Sequence, residues 1–416
     1  VLYQVFAHSG LVGVIGLTVI MTLSIMVALV GHLRPMLAND KQAVLYVVLG
    51  AITLMPLCQP RPWLFTILFF LVEYSLLLKA RREGSDKWLW SLPVLFALWA
   101  NLHIQFIYGL LLLAFDSVAP LFDKLWRRKI IWRDLPFEFP LPRVWLGVAC
   151  GLATLATPYH YRLYRVVGEY ADQSDVWQFV SELKPLAFDN LTPWAGLALL
   201  IWALLRLAGR RLEQPSLLFL LLFGVWLAFR MNRDIWFLVI AAVTALGLTY
   251  QRESSVTVTA PRWLAHVLAV AIALPILFMR GRQTGLSNDF LQAQLQQKYP
   301  VAAAQVIEER GYQGPLFNHF NWGGYLIWRL PQLPVSMDGR TNVYGGRKLA
   351  LHDAMWSGAP NWKSDKELAA AGVVLTSPQQ PLCELLRLDQ RFERVYEDKV
   401  AVVFVPRKQE VSQLNQ

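Results

Sequence analysis

Charge is what this sequence has least of. Asp, Glu, Lys and Arg make up 16% of its 416 residues, against about 25% in an average soluble protein. Hydrophobic residues make up 55% and Trp occurs 17 times. Long runs without charge recur at membrane-spanning length, which excludes an ordinary soluble domain and reads as an integral membrane protein. Cysteine is scarce too. Cys58, Cys150 and Cys383 are odd in number and show no CxxC spacing, so neither a zinc site nor a disulfide framework follows. The chain also lacks GxGxxG, a P-loop, HExxH, a Ser–His–Asp order, DxD and any internal repeat. The usual nucleotide-binding and zinc- or serine-hydrolase readings go with them.

The net charge of +10 does not indicate nucleic acid. From residue 281 onward there are 15 Lys+Arg against 13 Asp+Glu, so the excess lies in short loops between apolar segments. Ten such segments run from Gly10–Gly31 to Trp263–Met279. Alternate loops carry 17 and 8 basic residues. The positive-inside rule makes the richer set cytoplasmic. The other face then holds His103, the loop Pro158–Leu191, Arg230–Asp234 and the tail.

One stretch, Trp88–Leu121, is apolar except for Asn101, His103, Gln105 and, near its far end, Asp116. As a single helix it would run about 50 Å, well beyond the ~30 Å of bilayer hydrocarbon. Two spans meeting at the Asn101–Gln105 clump are expected, with the clump at a membrane face or in a polar cavity. Intramembrane polar groups mark sites by default; the plainer alternative is an interfacial turn. His103 is a candidate base or donor to a sugar-phosphate oxygen, and Asn101 a candidate cavity-lining residue.

Arg230-Met-Asn-Arg-Asp234 joins two spans with too few residues to reach far into water. Two guanidiniums there suit a phosphate or pyrophosphate, or else anchor lipid headgroups beside an Arg230/Arg233–Asp234 pair. Arg61, between two prolines, invites the same two readings. In Pro158–Leu191, Leu163, Val166, Val167 and Tyr170 recur at helical spacing between Arg162 and Arg165. With Tyr159, Trp177 and Phe179 this suggests an interfacial helix near 159–184. Glu182 and Asp175 are candidate outer-face carboxylates.

From about residue 285 the texture becomes that of a soluble domain. Short apolar runs alternate with helical patterns, giving a small α/β domain over 285–416 with a mainly parallel sheet that ends in a hairpin. Its strands are expected at GPLFN, LPVSM, GVVLTS, FERVYE and VAVVFVP. Trp322-Gly-Gly-Tyr325 and Asp338-Gly-Arg340 fall where strands end, the usual place for ligands in α/β sheets. The plain alternative is a tight turn and a local ion pair. Lys408–Gln416 reads as a frayed end.

Five stretches together carry a family resemblance: RPWLFT (61–66), LWANLHIQFIYGL (98–110), TPYHYRLYR (157–165), FRMNRDIWF (229–237) and FNWGGYLIWRLP…DGRTNVYG. They resemble bacterial multi-span membrane proteins of the C-type (GT-C) glycosyltransferase superfamily, in order and over nearly the whole chain. The resemblance implies a polytopic helical membrane domain of about ten spans over 1–284, followed by an extracytoplasmic α/β domain. It also implies an inverting transferase of the bacterial inner membrane. The donor would be a polyprenyl-phosphate or pyrophosphate sugar, and the acceptor a glycan, lipid or protein. In that scheme His103 and Glu182 serve catalysis. Arg61, Asn101, Tyr159, Arg230, Arg233 and Asp234 with Trp322, Tyr325, Asp338 and Arg340 bind substrate.

The sequence departs from the family's pattern at two places. Val1-Leu2-Tyr3-Gln4 looks like the end of the first outer loop, where relatives carry their key carboxylate. That carboxylate, and any divalent metal it binds, is expected upstream; the residues present form no complete metal site. Ile104 and Gln105 also replace glycines common in relatives. Two other classes fit the same residues: a ligase- or polymerase-like enzyme acting on lipid-pyrophosphate donors, and a non-catalytic lipid-linked glycan binder, transporter or scaffold.

Overall fold

A computed structural model describes residues 1–36, 40–128, 141–172, 180–209, 214–251 and 287–407. The expected span Trp263–Met279, together with Asp175, Trp177, Phe179 and Lys408–Gln416, lies outside the described residues. The chain divides into two compact units. The first comprises Val1–Gly168 and Ser181–Thr284, the second Glu169–Val180 and Gly285–Gln416.

The first unit is helical: α1 (Leu2–Leu33), α2 (Asp40–Leu54), α3 (Trp63–Glu83), α4 (Leu92–Leu102), α5 (Phe106–Arg128), α6 (Leu141–Ala153), α7 (Arg162–Asp172, as far as Gly168), α8 (Leu191–Gly209), α9 (Pro215–Arg230) and α10 (Ile235–Gln251). Prolines open several of these helices, as Pro93 does α4 and Pro215 does α9. Their missing N–H groups cost nothing in a first turn. Gly84 closes α3 in the left-handed conformation (φ 62°), just after Arg81 and Arg82 in its last turn, where cations suit the helix dipole.

Among the described residues five helices are long and apolar enough to cross a membrane: Leu2–Met36, Trp63–Glu83, Phe106–Trp126, Leu191–Gly209 and Asn232–Thr249. Three shorter apolar helices, Leu45–Leu57, Leu141–Ala153 and Pro215–Arg230, accompany them. The Trp88–Leu121 stretch breaks at His103–Gln105 as its length requires, but the two halves are unequal. Helix α5 is of full length, whereas the 11 residues of α4 reach only about 16 Å.

Helix α10 is the axis of this unit, with Trp236, Val239, Ile240, Ala242 and Val243 all fully buried. Three neighbours approach it through glycines. Gly50 of α2 faces Val239, Gly196 of α8 faces Ile235, and Gly224 of α9 lies against the Leu238 backbone. Small residues permit such close approach, and dispersion rather than a hydrophobic drive then holds helices together in lipid. Polar cross-links run at three levels. Midway, His32 of α1 bonds Ser75 of α3 at 2.9 Å and Thr244 of α10 at 2.8 Å. At one end, the buried Asp116 of α5 bridges Arg81 at 2.6 Å and Arg143 at 2.5 Å. There Asp123 also accepts from the backbone and hydroxyl of Ser216 at the start of α9. The opposite end carries the residues singled out from the sequence.

The second unit contains α11 (Asn288–Gln296), α12 (Val301–Glu309), β1 (Leu316–Asn318), α13 (Gly323–Arg329), α14 (Thr341–Trp356), α15 (Lys366–Ala369), β2 (Val373–Thr376), α16 (Pro381–Arg387), β3 (Phe392–Glu397) and β4 (Val402–Pro406). Its sheet has the order β1-β2-β4-β3. The two-residue period of a strand sorts the core: Leu316, Val373, Leu375 and Val403 join Ala303, Ile307 and Leu326, while Phe317, Val374, Val402 and Phe404 join Trp356, Leu382 and Leu386. Apolar packing thus covers both faces.

The sheet is mixed, not mainly parallel. Only β1 and β2 pair in parallel, and β2–β4 and β4–β3 are antiparallel. The hairpin turn explains this. Asp398 accepts from the amides of Val400 and Ala401, reversing the chain and inserting β4 between β2 and β3. LPVSM gives one parallel bridge, Leu316 to Val335, rather than a strand. Pro334 has no N–H to donate and supplies only its carbonyl, to Leu316 at 2.8 Å, as proline does at a sheet edge.

Candidate functional site

The break between α9 and α10 sets the first cluster. Helix α9 ends at Arg230, a short 3-10 turn covers Asn232–Asp234, and α10 starts at Ile235. Asp234 turns inward and is 1% exposed. Its two oxygens accept from Gln105 Nε2 and from the Tyr108 hydroxyl, each at 2.7 Å. Gln105 immediately precedes α5 and Tyr108 lies in its first turn, three residues on, so one turn of chain grips one carboxylate. Arg233 Nε stands 3.9 Å from the same carboxylate. That nitrogen is buried and makes no hydrogen bond among the described residues, nor does Gln105 Oε1. Arg230 lies over the Trp226 ring at 5.2 Å.

The preceding chain segments add to this end. The Asn232 amide donates to Lys184 O at 2.8 Å, placing the Ser181–Leu183 turn beside the arginine turn. From that turn Glu182 accepts from Arg61 at 2.8 Å. His103 follows the last residue of α4 in extended backbone (φ −156°, ψ 138°). Its Nδ1 meets Thr66 Oγ1 at 2.7 Å, and Trp99 Nε1 donates to that oxygen at 2.9 Å. Asn101 donates to Ala97 O and Ala156 O, each at 2.8 Å, tying α4 to the chain just after α6.

A cleft of about 310 Å³ opens here, lined by Leu17, Met21, Leu64 and Phe65, with Arg61 and Asn101 its conspicuous polar members. An apolar floor under one guanidinium is the shape that holds a chain with an anionic head.

Of the sequence candidates, the structure therefore brings together Arg61 with Glu182 and Asn101, and His103, Arg233 and Asp234 at the same end of the helical unit. Tyr159 is not joined to them by any hydrogen bond among the described residues; it stands 65% exposed in the turn before α7. That helix covers 162–172, within the range expected for an interfacial helix. Sequence reasoning missed Tyr108, Thr66 and Trp99. The three-residue offset of Gln105 and Tyr108 was the available signal for the first. Nothing local marks the other two.

In the second unit, Asn318 and Asp338 close the carboxyl ends of β1 and of the Val335 bridge. Asn318 Nδ2 donates to Met337 O at 2.8 Å. Asp338, 1% exposed, accepts from Arg340 Nε at 2.9 Å, Arg340 Nη2 at 2.6 Å and the Tyr344 hydroxyl at 2.9 Å. These donors hold its carboxyl below the usual carboxylate range, the Arg340 hydrogen bond contributing most, and Arg340 is raised in return. The Arg340 side chain is 65% exposed, a guanidinium fixed on one side and open on the other. His319 and His352 flank the Trp356 ring; burial pushes His352 down to about 3. Trp322 packs into the core and donates to Lys298 O, while Tyr325 lies 5.3 Å from the Tyr299 ring. Both rings pack in the same apolar cluster.

Asp338 yields a pH prediction. Its ionised form is favoured in the folded state, so its contribution is complete above the unfolded Asp value of about 3.9 and is lost as pH falls through the lower folded value. Asp338→Asn should cost about 2 kcal/mol at pH 7, with the gap to wild type closing below about pH 4. Amide exchange of β1 against pH in both chains measures this; a gap independent of pH would contradict it.

Among the described residues no three His, Cys, Asp or Glu side chains gather as a metal ion would require. No protein-family model matches this chain, and no curated protein matches it. Fold and site define a class: a helical protein with, among the described residues, five helices long and apolar enough to cross a membrane, an arginine-bearing polar layer at one end of its helices, and a small α/β unit after them.

Proposed function

We propose that this protein acts on a polyprenyl-phosphate- or pyrophosphate-linked sugar at the outer face of a bacterial inner membrane, as a GT-C-like glycosyltransferase. The single observation that carries the reading is the Arg230–Asp234 turn. There Arg233 is set beside a buried carboxylate gripped by Gln105 and Tyr108, with its own Nε unspent. A guanidinium so fixed and so under-used suits a phosphate oxygen. Arg61 over the apolar cleft suits the same head-and-tail chemistry. On this reading the shorter apolar helices and Trp263–Met279 complete about ten spans, the α/β unit lies outside the cytoplasm, and the open side of Arg340 meets the acceptor.

A second reading has its own support. Glu182 is paired with Arg61, and Asp234 with Gln105 and Tyr108, so both of these carboxylates are already engaged. That favours binding and presentation of a lipid-linked glycan without transfer. Proteoliposomes containing the chain, given labelled polyprenyl-phosphate and polyprenyl-pyrophosphate sugars, decide between them. Transfer to an acceptor supports the enzyme. Saturable binding without transfer supports the binder, and no binding of either lipid overturns both.

A further inference from the structure

We propose that His103 is held as its Nε2–H tautomer by a buried relay from Trp99 through Thr66, so that it serves the site as a hydrogen-bond donor to a phosphate oxygen and not as a resting base. Thr66 and Trp99 are then positioning residues; the phosphate role rests on the function proposed above, whereas the tautomer does not.

The argument is a count of protons. An indole N–H can only donate, so at 2.9 Å Trp99 Nε1 gives its proton to Thr66 Oγ1. The hydroxyl has one proton of its own. Thr18, Thr53 and Thr244 spend theirs on the carbonyl four residues back in their helices. Thr66 turns to His103 Nδ1 instead, at 2.7 Å. Thr66 and Trp99 are both fully buried. Were Nδ1 the protonated nitrogen, Thr66 would accept twice and leave a hydroxyl proton buried without an acceptor, a cost folded proteins avoid. Thr66 therefore donates, Nδ1 accepts, and the ring's one proton sits on Nε2. Burial of the ring, and after it the charge of Arg233, oppose a second proton there. The same end of the unit thus offers two donors of fixed character, a guanidinium and an imidazole N–H. That pair matches an oxyanion better than a group awaiting deprotonation.

The test is ¹⁵N NMR of the whole chain in nanodiscs, labelled at histidine, with His103 assigned by its loss in His103→Gln. At neutral pH, Nδ1 should show the shift of an unprotonated ring nitrogen and Nε2 that of a protonated one. Thr66→Val should turn this into a mixture of tautomers, and Thr66→Ser should restore it. A protonated Nδ1 in the wild-type chain overturns the relay, as does a Thr66→Val spectrum identical to wild type. Titration with polyprenyl phosphate should then move the Nε2 proton downfield. Saturable lipid binding that leaves this proton unmoved overturns the donor role while sparing the proposed function; absence of lipid binding overturns the function, and the donor role with it, while the tautomer is still read directly.

Discussion

Replacing Arg230 and Arg233 together by alanine is expected to reduce binding of a polyprenyl-phosphate-linked sugar at least ~100-fold while the helices stay folded. Charge-assisted hydrogen bonds contribute roughly 1.5–3 kcal/mol each, and every 1.4 kcal/mol is a factor of ten in affinity, so two such contacts account for the figure. Folding should survive because the buried carboxylate of the turn keeps its two neutral donors when the longer contact with Arg233 is lost. Asp234 keeps its bonds to Gln105 and Tyr108 at 2.7 Å, and the Asn232 amide keeps Lys184 O. Arg233→Lys should fall between wild type and alanine, since an ammonium restores charge but not the bidentate fork. Titration of labelled lipid into proteoliposomes measures the loss, with amide exchange of α10 as the folding control. Unchanged affinity in the double variant would remove this turn from the donor site.

What the sequence made legible was set by physical cost. Three polar residues inside a 34-residue apolar run cannot stay unsatisfied in hydrocarbon, so a break near Asn101–Gln105 could be read, and it falls at His103–Gln105. Likewise Arg230–Asp234 had to be a turn, because two arginines and an aspartate between apolar runs cannot enter lipid unpaired. The partners were not legible. Gln105 reaches Asp234 across 129 positions and Thr66 reaches His103 across 37, and no local pattern encodes a contact made by packing. Glu73 shows the opposite limit. It looks like a lone charge in an apolar helix, yet it is fully buried, its carboxyl lying with Trp99 and Phe96 against Gly109. The sheet's strands were visible as the short apolar runs Val373–Thr376 and Val402–Pro406. Their order was not, because insertion of β4 beside β2 depends on the turn at Asp398 and on which edge was free.

The second large effect is expected at Gly323. A Cβ built there would lie 2.0 Å from Met337 O and 2.6 Å from the Asp338 Cα. Both are backbone atoms with no flexible end to yield. Gly323→Ala must therefore push the start of α13 away from the Met337–Asp338 segment. That strains the bond from Asn318 to Met337 O and the setting of Asp338 under Arg340. Overpacking of this kind costs about 1–3 kcal/mol where side chains can adjust, and more is expected where only backbone can move. Gly324 is the control. Nothing lies within 4 Å of its added Cβ, so Gly324→Ala gains helix propensity, up to about 1 kcal/mol. Neighbouring glycines one residue apart should thus give opposite signs in amide exchange of β1 and in resistance to proteolysis after residue 285. Equal effects would mean that the contact with Met337 does not fix the loop. If Gly323→Ala instead lowers acceptor use by the intact protein while β1 exchange falls to the same degree, the Asp338–Arg340 corner acts through the stability of its edge. A loss of acceptor use on Arg340→Ala without any change in β1 exchange would show the guanidinium itself at work, since its outward side is the part of the corner that no hydrogen bond to Asp338 consumes.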